Sequence, residues 1–311
     1  MRARLIANPT SGANRALPLL PTINERLRTL VTDLDITITT GESDVQRAAT
    51  RAVDEGCDFL FVAGGDGTLN AAIRAVTLMP GALERLTFGV IPTGTGNDFA
   101  KALGLGEDAE RALEFLLAAH VVDVDLGAVN GRGFVNISAG GFIADVSAVL
   151  TEELKDATGK LAYVIGGARA LFGRDPFSAR LRLGEDDSVP PLDLQMFAVC
   201  NARFIGGGYP IAPDALIDDG LLDVFLVKRT PVVEFIGLLQ KVATGSHTED
   251  GRIVQLRASA LDLIFDREVH VNTDGEVLQT DRCEYRVLPR AARFLCGDAP
   301  QAAAPPRPLM V

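Results

Sequence analysis

The alternation of apolar and polar positions divides the chain near residue 125. Before that point, short apolar strands alternate with helices, and Leu20, Ile23, Leu27 and Leu30 recur at the spacing of one helix face. The pattern predicts strands at 5–7, 35–39, 59–63 and 88–91. It predicts helices after residue 12, from Ser43, and over 68–79, 97–103 and 108–118, with Ser43 and Gln46 spaced as a capping box. This βαβα order predicts an α/β domain with a mostly parallel sheet and helices on both faces.

After residue 125 the pattern changes to short strands separated by turns. Asn130-Gly131 lies between two strand-like runs and predicts a hairpin turn. Further strands are predicted at 178–183, 194–200, 222–227, 261–265, 268–272 and 284–288, and helical stretches at 141–154 and 160–173. We therefore expect an α/β domain over 1–125, a largely antiparallel, sandwich-like domain over 126–298, and a disordered Ala- and Pro-rich tail over 299–311.

Composition narrows the range of partners. The chain has 311 residues, 47% hydrophobic and 23% charged, which is typical of a folded protein with sizeable cores. A net charge of −11 argues against nucleic acid as a partner, and contact with an anionic membrane would need a local basic patch. The first residues read directly as a strand, and no apolar run approaches the ~20 residues of a spanning helix. We expect a cytoplasmic protein with, at most, peripheral contact at the inner face of a membrane.

The cysteines give no sign of a metal site. Cys57, Cys200, Cys283 and Cys296 are scattered, and no CxxC or close Cys/His set occurs. We therefore expect buried, reduced thiols and no structural zinc.

Two glycine-rich loops each follow an apolar strand and precede a predicted helix. They read Gly64-Gly65-Asp66-Gly67-Thr68 and Pro92-Thr93-Gly94-Thr95-Gly96-Asn97-Asp98. A strand, a glycine turn and a helix N-terminus form an anion site, and Asp66 adds a carboxylate suited to Mg²⁺. Alternatively, Asp66-Gly67 is an ordinary turn, and Asn97 or Asp98 is only a helix N-cap. A third turn, at 8–12, also follows a strand, and ligands of parallel sheets bind at the carboxyl ends of the strands. The loops can therefore meet at one polyphosphate, so the sequence predicts a nucleotide-using phosphotransferase.

Two acidic turns lie in the second half of the chain. Asp218-Asp219-Gly220 precedes a strand and either binds a hard cation or is a solvated turn. Asp274-Gly275-Glu276 lies between strands and either supplies a general base or is a simple hairpin turn. The residue types leave both alternatives open.

In order and spacing, these motifs together resemble the soluble bacterial diacylglycerol kinase family, which shares a catalytic domain with sphingosine and ceramide kinases. The resemblance runs the whole chain, through segments 8–12, 64–70, 89–99, 122–127, 218–220 and 274–276. It implies a two-domain lipid kinase that binds ATP between a nucleotide domain and a lipid domain. It also implies that the last strands return to pack on the first domain.

The resemblance assigns roles by motif. The implied ATP contacts are Asn8, Pro9, Thr10, Ser11, Gly12, Thr39, Gly65, Asp66, Gly67, Thr68, Leu69, Asn70, Ala71 and Thr95. The amide of Asn97 is a further candidate contact, and Thr40 is the alternative to Thr39. A structural Mg²⁺ would bind Asp219 and the carbonyls of Leu216 and Leu221. Glu276 would accept the proton, with Asp274 close by, and Asp66 would act through a catalytic Mg²⁺.

One residue departs from the family pattern, which has an acidic residue where this chain has Ala71. The leading hypothesis is an ATP- and Mg²⁺-dependent kinase of diacylglycerol or a related lipid at a membrane surface. One alternative is a kinase of a soluble substrate such as NAD, because NAD kinases and phosphofructokinases also carry a Gly-Gly-Asp-Gly loop. The other is a non-catalytic nucleotide- or lipid-binding protein, which Ala71 would favour. Homodimer formation is left open.

Overall fold

Four parallel strands form the N-terminal part of the sheet in the computed structural model, which describes residues 1–12, 16–118, 120–141, 177–184, 190–303 and 307–309. They are β1 (Arg2–Ala7), β2 (Asp33–Ile38), β3 (Phe59–Gly64) and β4 (Thr87–Pro92), in the order β2-β1-β3-β4. The intervening helices are α1 (Ala16–Leu30), α2 (Glu42–Asp54), α3 (Asp66–Thr77), α4 (Ala82–Arg85), α5 (Asp98–Ala102) and α6 (Ala109–Leu117). Since β2 and β3 flank β1, right-handed crossovers place α1 and α2 on opposite faces. The predicted parallel sheet is confirmed.

The rest of the described chain is mostly antiparallel, as predicted. Its strands are β5 (His120–Val129), β6 (Arg132–Phe134), β7 (Ile137–Gly141), β8 (Phe177–Arg182), β9 (Leu192–Cys200), β10 (Phe204–Ile205), β11 (Tyr209–Pro210), β12 (Leu222–Lys228), β13 (Ile253–Ala258), β14 (Ala260–Thr273) and β15 (Glu276–Cys296). Helix α7 (Val232–Val242) and a short 3-10 helix (Ser246–Glu249) follow β12. The predicted Asn130-Gly131 hairpin joins β5 to β6, and both residues have positive φ, 49° and 79°.

Strand β15 connects the two parts of the sheet. It pairs antiparallel with β14 and β5, and its last residues pair parallel with β4 through Arg293 and Phe294. Phe294 stacks on Phe88 at 5.2 Å between ring centroids and meets the edge of Phe99 at 5.1 Å. The core of the N-terminal layer therefore includes residues from the end of the chain.

Some local predictions are wrong. Helix α2 begins at Glu42 after Gly41, so Ser43 lies inside the helix and forms no capping box. Gln46 bonds instead to Glu42, and Asp44 accepts the N–H of Thr40 at 2.8 Å. The two strands predicted at 261–265 and 268–272 form the single strand β14, which has an irregularity between Ile264 and Val269.

Part of the C-terminal tail is ordered on the sheet. Residues Arg307–Pro308 form a short strand, β16, paired with β5. The Arg307 guanidinium binds both carboxylate oxygens of Asp123, at 2.9 and 2.8 Å. Both contacts come from one guanidinium nitrogen, and together with the pairing to β5 they hold a segment whose Ala- and Pro-rich composition predicts disorder. Of the helical stretches predicted at 141–154 and 160–173, Gly141 ends strand β7 instead, and the other residues lie outside the described part of the chain.

The cysteines are all buried and free. Burial raises the pKa of Cys283 and of Cys296 to about 12, so both remain protonated thiols at neutral pH. Within the described part of the chain, no helix has the length and apolar character needed to cross a membrane.

Candidate active site

The loop after β1 is tied to the first turn of α3. The Asn8 amide donates to Thr68 Oγ1 at 2.9 Å. The backbone N–H and the hydroxyl of Thr10 both donate to Asn8 Oδ1, at 3.1 and 2.9 Å. Asn8 thus joins two of the predicted ATP loops through both ends of its side-chain amide.

The third loop, after β4, packs against the other two through glycines. A Cβ placed on Gly94 would lie 2.4 Å from the Cα of Gly65. A Cβ on Gly12, where φ is +55°, would lie 2.0 Å from the Thr93 carbonyl oxygen. No side chain fits at either position, so glycine is what allows three strand ends to meet. The residues 8–12, 64–71 and 92–97 are therefore brought together, as their motifs predict.

Asn97 shapes the third loop from within. It has left-handed backbone geometry, with φ of 54°, and is 5% exposed. Its Oδ1 accepts from the Gly94 N–H at 3.0 Å, and its Nδ2 donates to the Gly94 carbonyl at 2.8 Å. The amide predicted to contact ATP is thus bonded to the loop that carries Thr95.

Thr39 and Thr40 differ in their neighbours at the end of β2. Thr39 is buried, and its N–H and hydroxyl both approach the Ala7 carbonyl, at 3.0 and 3.3 Å. The Thr40 hydroxyl is bonded to Asp44 of α2 at 2.5 Å. This arrangement favours Thr39 over Thr40 as the residue beside the β1 loop.

Asp66 joins the first glycine loop to α5. Its carboxylate accepts the N–H groups of Asp98 and Phe99, each at 3.0 Å. Burial, and secondly the negative charge of Asp98, raises the pKa of Asp66. Asp98 in turn accepts the N–H of Gly207 at 2.9 Å, so the turn between β10 and β11 is attached to the glycine loops. The sequence showed Asp98 only as a cap or polar contact and gave no sign of Gly207.

The Asp274–Glu276 turn joins β14 to β15 and also contacts α3. The Asp274 carboxylate accepts N–H groups from Val135 at 2.7 Å and Ile137 at 2.9 Å. Burial raises the pKa of Asp274 to about 6; these N–H bonds oppose the shift, and the charge of Asp66 adds to it. The Asp274 carbonyl accepts from the Asn70 amide at 3.3 Å. The turn is therefore a hairpin, and it also places the carboxylates of Asp274 and Glu276 close to helix α3.

Glu276 is ion-paired with Arg74, a residue that none of the sequence motifs includes. The other terminal nitrogen of Arg74 binds Glu42 of α2 at 2.5 Å. A signal was present in the helical spacing, since Asn70 and Arg74 lie one turn apart and away from the apolar residues Ile73 and Val76. Ala71, the residue that departs from the family pattern, is buried in the core and only 3% exposed.

The acidic turn forms a separate cluster around Asp125. Asp125 accepts the N–H groups of Gly220 and Arg290, each at 2.6 Å, and burial raises its pKa. The Asp219 carboxylate is ion-paired with Arg257 and accepts the Leu221 N–H at 3.1 Å.

The oxygen-only donor set predicted here is Asp219 with the carbonyls of Leu216 and Leu221, and its chemistry suits Mg²⁺. The described residues contain no group of three or more His, Cys, Asp or Glu side chains arranged to hold a metal. An ion at this turn would therefore depend on backbone carbonyls.

Comparison with known proteins agrees with this architecture. Residues 2–129 match the diacylglycerol kinase catalytic domain, and residues 136–296 match the YegS C-terminal NAD kinase beta sandwich-like domain. A diacylglycerol kinase of Bacillus subtilis is 31% identical over 88% of this chain and 89% of its own length. A YegS-like probable lipid kinase of Shewanella frigidimarina is 31% identical over 84% of each chain. A provisionally named diacylglycerol kinase of Bacillus anthracis superposes with a TM-score of 0.82 at 27% identity, over 96% of each chain.

Proposed function

Because the chain belongs to the diacylglycerol kinase family of lipid kinases, we propose that it transfers the γ-phosphate of ATP to a lipid hydroxyl. The observation that carries the proposal is the meeting of two features on helix α3. The glycine loops lie at its N-terminus, and the Asp274–Glu276 turn lies against its next turns. Helix α3 would thus hold both the proposed nucleotide site and the proposed base.

The three loops supply the proposed ATP site. Backbone N–H groups of the 64–68 loop and the N-terminus of α3 favour phosphate. Gly65 and Gly94 carry no side chains, so the two loops pack together and both backbones lie at the proposed phosphate site. Asn8, Thr68 and Asn97 hold the loops in place through the hydrogen bonds described above.

Asp66 and Asp219 are the carboxylates proposed to hold Mg²⁺. Bound Mg²⁺ would neutralise phosphate charge. Asp66 also fixes the start of α5, because its two oxygens accept adjacent N–H groups. Asp66 thus also fixes the position of α5 relative to the first glycine loop.

Glu276 is the proposed acceptor of the lipid hydroxyl proton. Its side chain is 40% exposed, so an incoming hydroxyl can reach it, whereas Asp274 is bound by backbone N–H groups. Asp274 therefore holds the turn in place, and Glu276 carries out the proton transfer. Diacylglycerol or a related lipid, met by peripheral contact with a membrane, is the proposed acceptor.

The test measures transfer of labelled γ-phosphate from ATP, in the presence of magnesium, to hydroxyl lipids in mixed micelles, with NAD as the soluble control. The acceptors are diacylglycerol, monoacylglycerol, phosphatidylglycerol, a ceramide and a sphingoid base. We expect a labelled lipid. Labelled NAD with no labelled lipid would favour the soluble-substrate alternative, whereas ATP binding without any transfer would favour a binding protein.

Glu276→Gln tests the base. We expect turnover to fall by roughly 10²- to 10⁴-fold, with ATP affinity nearly unchanged, because the amide cannot accept the proton. Glu25→Gln on the exposed side of α1 is the matched control and should keep wild-type turnover. Wild-type turnover in Glu276→Gln would remove this residue from the mechanism.

A further inference from the structure

Arg74 lies between the proposed base and helix α2. One terminal nitrogen of its guanidinium pairs with Glu276, and the other binds Glu42. We propose that Arg74 is a positioning residue that orients the Glu276 carboxylate and supplies the positive charge paired with it. This inference rests on the proposed function.

The guanidinium is held in one orientation. The Arg74 side chain is 21% exposed, and both of its terminal nitrogens are engaged by carboxylates on different elements. A planar guanidinium bound at two points loses most of its rotational freedom. Arg74 therefore presents a fixed cation to the beginning of β15.

Helix α3 contacts the Asp274–Glu276 turn at two points, which have different roles. Asn70 binds the backbone of Asp274, and Arg74, one helical turn later, binds the side chain of Glu276. Asn70 thus places the turn, whereas Arg74 selects the orientation of a side chain that is 40% exposed. An exposed glutamate without such a partner would populate several rotamers.

The turn that carries Glu276 lies among acidic groups. Asp274 is on the same turn, and the negative charge of Asp66 acts on Asp274. Glu42 on α2 shares the Arg74 guanidinium with Glu276, so Arg74 is the cation paired with both glutamates. The phosphates of ATP would add further negative charge. Negative neighbours favour protonation of a carboxylate, and an adjacent guanidinium opposes it.

Ala71 removes a competitor for this cation. It lies three residues before Arg74 on α3, at a spacing where side chains of a helix meet. An acidic residue at 71 could bind Arg74 in place of Glu276. With alanine there, the guanidinium remains available to the proposed base.

The experiment compares Arg74→Met and Arg74→Lys with Arg26→Met, a control on the exposed side of α1. Each protein is assayed for kcat, for KM of ATP and for the pH dependence of kcat. For Arg74→Met we expect kcat to fall by up to about 10²-fold while KM for ATP stays within about threefold. The rising limb of its pH profile should move to higher pH, because Glu276 loses the adjacent positive charge.

Arg74→Lys separates orientation from charge. It should keep the pH limb near the wild-type position and recover only part of kcat, because a lysine ammonium does not reproduce the two-point binding. In a Glu276→Gln background, Arg74→Met should cause little further loss. If Arg74→Met folds poorly, the Lys variant still tests the role through kcat, and full wild-type kcat there would overturn the orientation argument.

Two outcomes separate this inference from the function beneath it. An inactive Glu276→Gln, together with an Arg74→Met variant whose pH limb has not moved, would overturn the role of Arg74 alone. An active Glu276→Gln would overturn the base assignment and the role of Arg74 together.

Discussion

Gly94→Ala should force apart the two loops that would face the ATP phosphates. The added Cβ would lie 2.4 Å from the Gly65 Cα and 2.9 Å from Asn97 Oδ1, whereas ordinary contact begins at 3.4 Å. The loops must therefore separate by about 1 Å. Misplacement of that size at a reacting centre costs about 10²-fold in rate, and overpacking costs about 1–3 kcal/mol in stability.

The assay measures ATP affinity by calorimetry, lipid phosphorylation by label transfer, and the free energy of unfolding in urea. Gly237→Ala is the matched control, because a Cβ at that position in α7 meets nothing within 4 Å. It should raise stability by roughly 0.5–1 kcal/mol and leave ATP binding unchanged. If Gly94→Ala bound ATP and turned over as the wild type does, the contact between the loops could not be what shapes the phosphate site.

Two further predictions concern stability. Asn97→Ala should lower the free energy of unfolding by about 2 kcal/mol, because it removes two hydrogen bonds to Gly94 and places alanine at φ of 54°. Asn97→Gly, measured alongside by urea titration, should recover roughly 1 kcal/mol of that loss, and equal losses would refute the backbone argument. The pKa of Asp274, raised from 3.8 to about 6, means that the folded state binds the extra proton, so stability should fall as pH rises from about 4 to about 6. The loss, at most about 3 kcal/mol, should disappear in Asp274→Asn when urea titrations at about pH 4 and about pH 7 are compared, and an identical slope in the variant would contradict it.

The sequence predicted the fold best where the signal is local. Glycines after buried strands and helix-spaced apolar residues were enough to predict the parallel layer. The sequence predicts two strands in place of β14 because Asp266-Arg267-Glu268 interrupts the apolar pattern, and these residues are exposed at the irregularity in the strand. Helix α7 is not evident from the sequence, because Val232–Val242 is largely apolar and contains both β-branched residues and Gly237, which have low helix propensity.

The candidate site was predictable loop by loop, but its connections were not. The Asp98–Gly207 bond spans 109 residues and the Asp274–Val135 bond spans 139. Such contacts depend on the arrangement of whole strands, which no short motif encodes. Arg74 is an intermediate case, because its place on the helix face can be predicted from the sequence, whereas its partner Glu276 on β15 cannot.

The placement of β15 between β4 and β5 has a consequence for how the protein is made. Residues 293–294 pair with β4, although β4 itself ends at Pro92. During synthesis, the parallel strands β1–β4 therefore gain this neighbouring strand only after Phe294 has been added, long after β4 itself. A nascent or truncated chain that stops before 293 leaves that edge of β4 without β15, and an open, apolar edge strand is prone to pair with other chains. Cotranslational folding of the first half should thus yield an aggregation-prone intermediate that the last strand resolves.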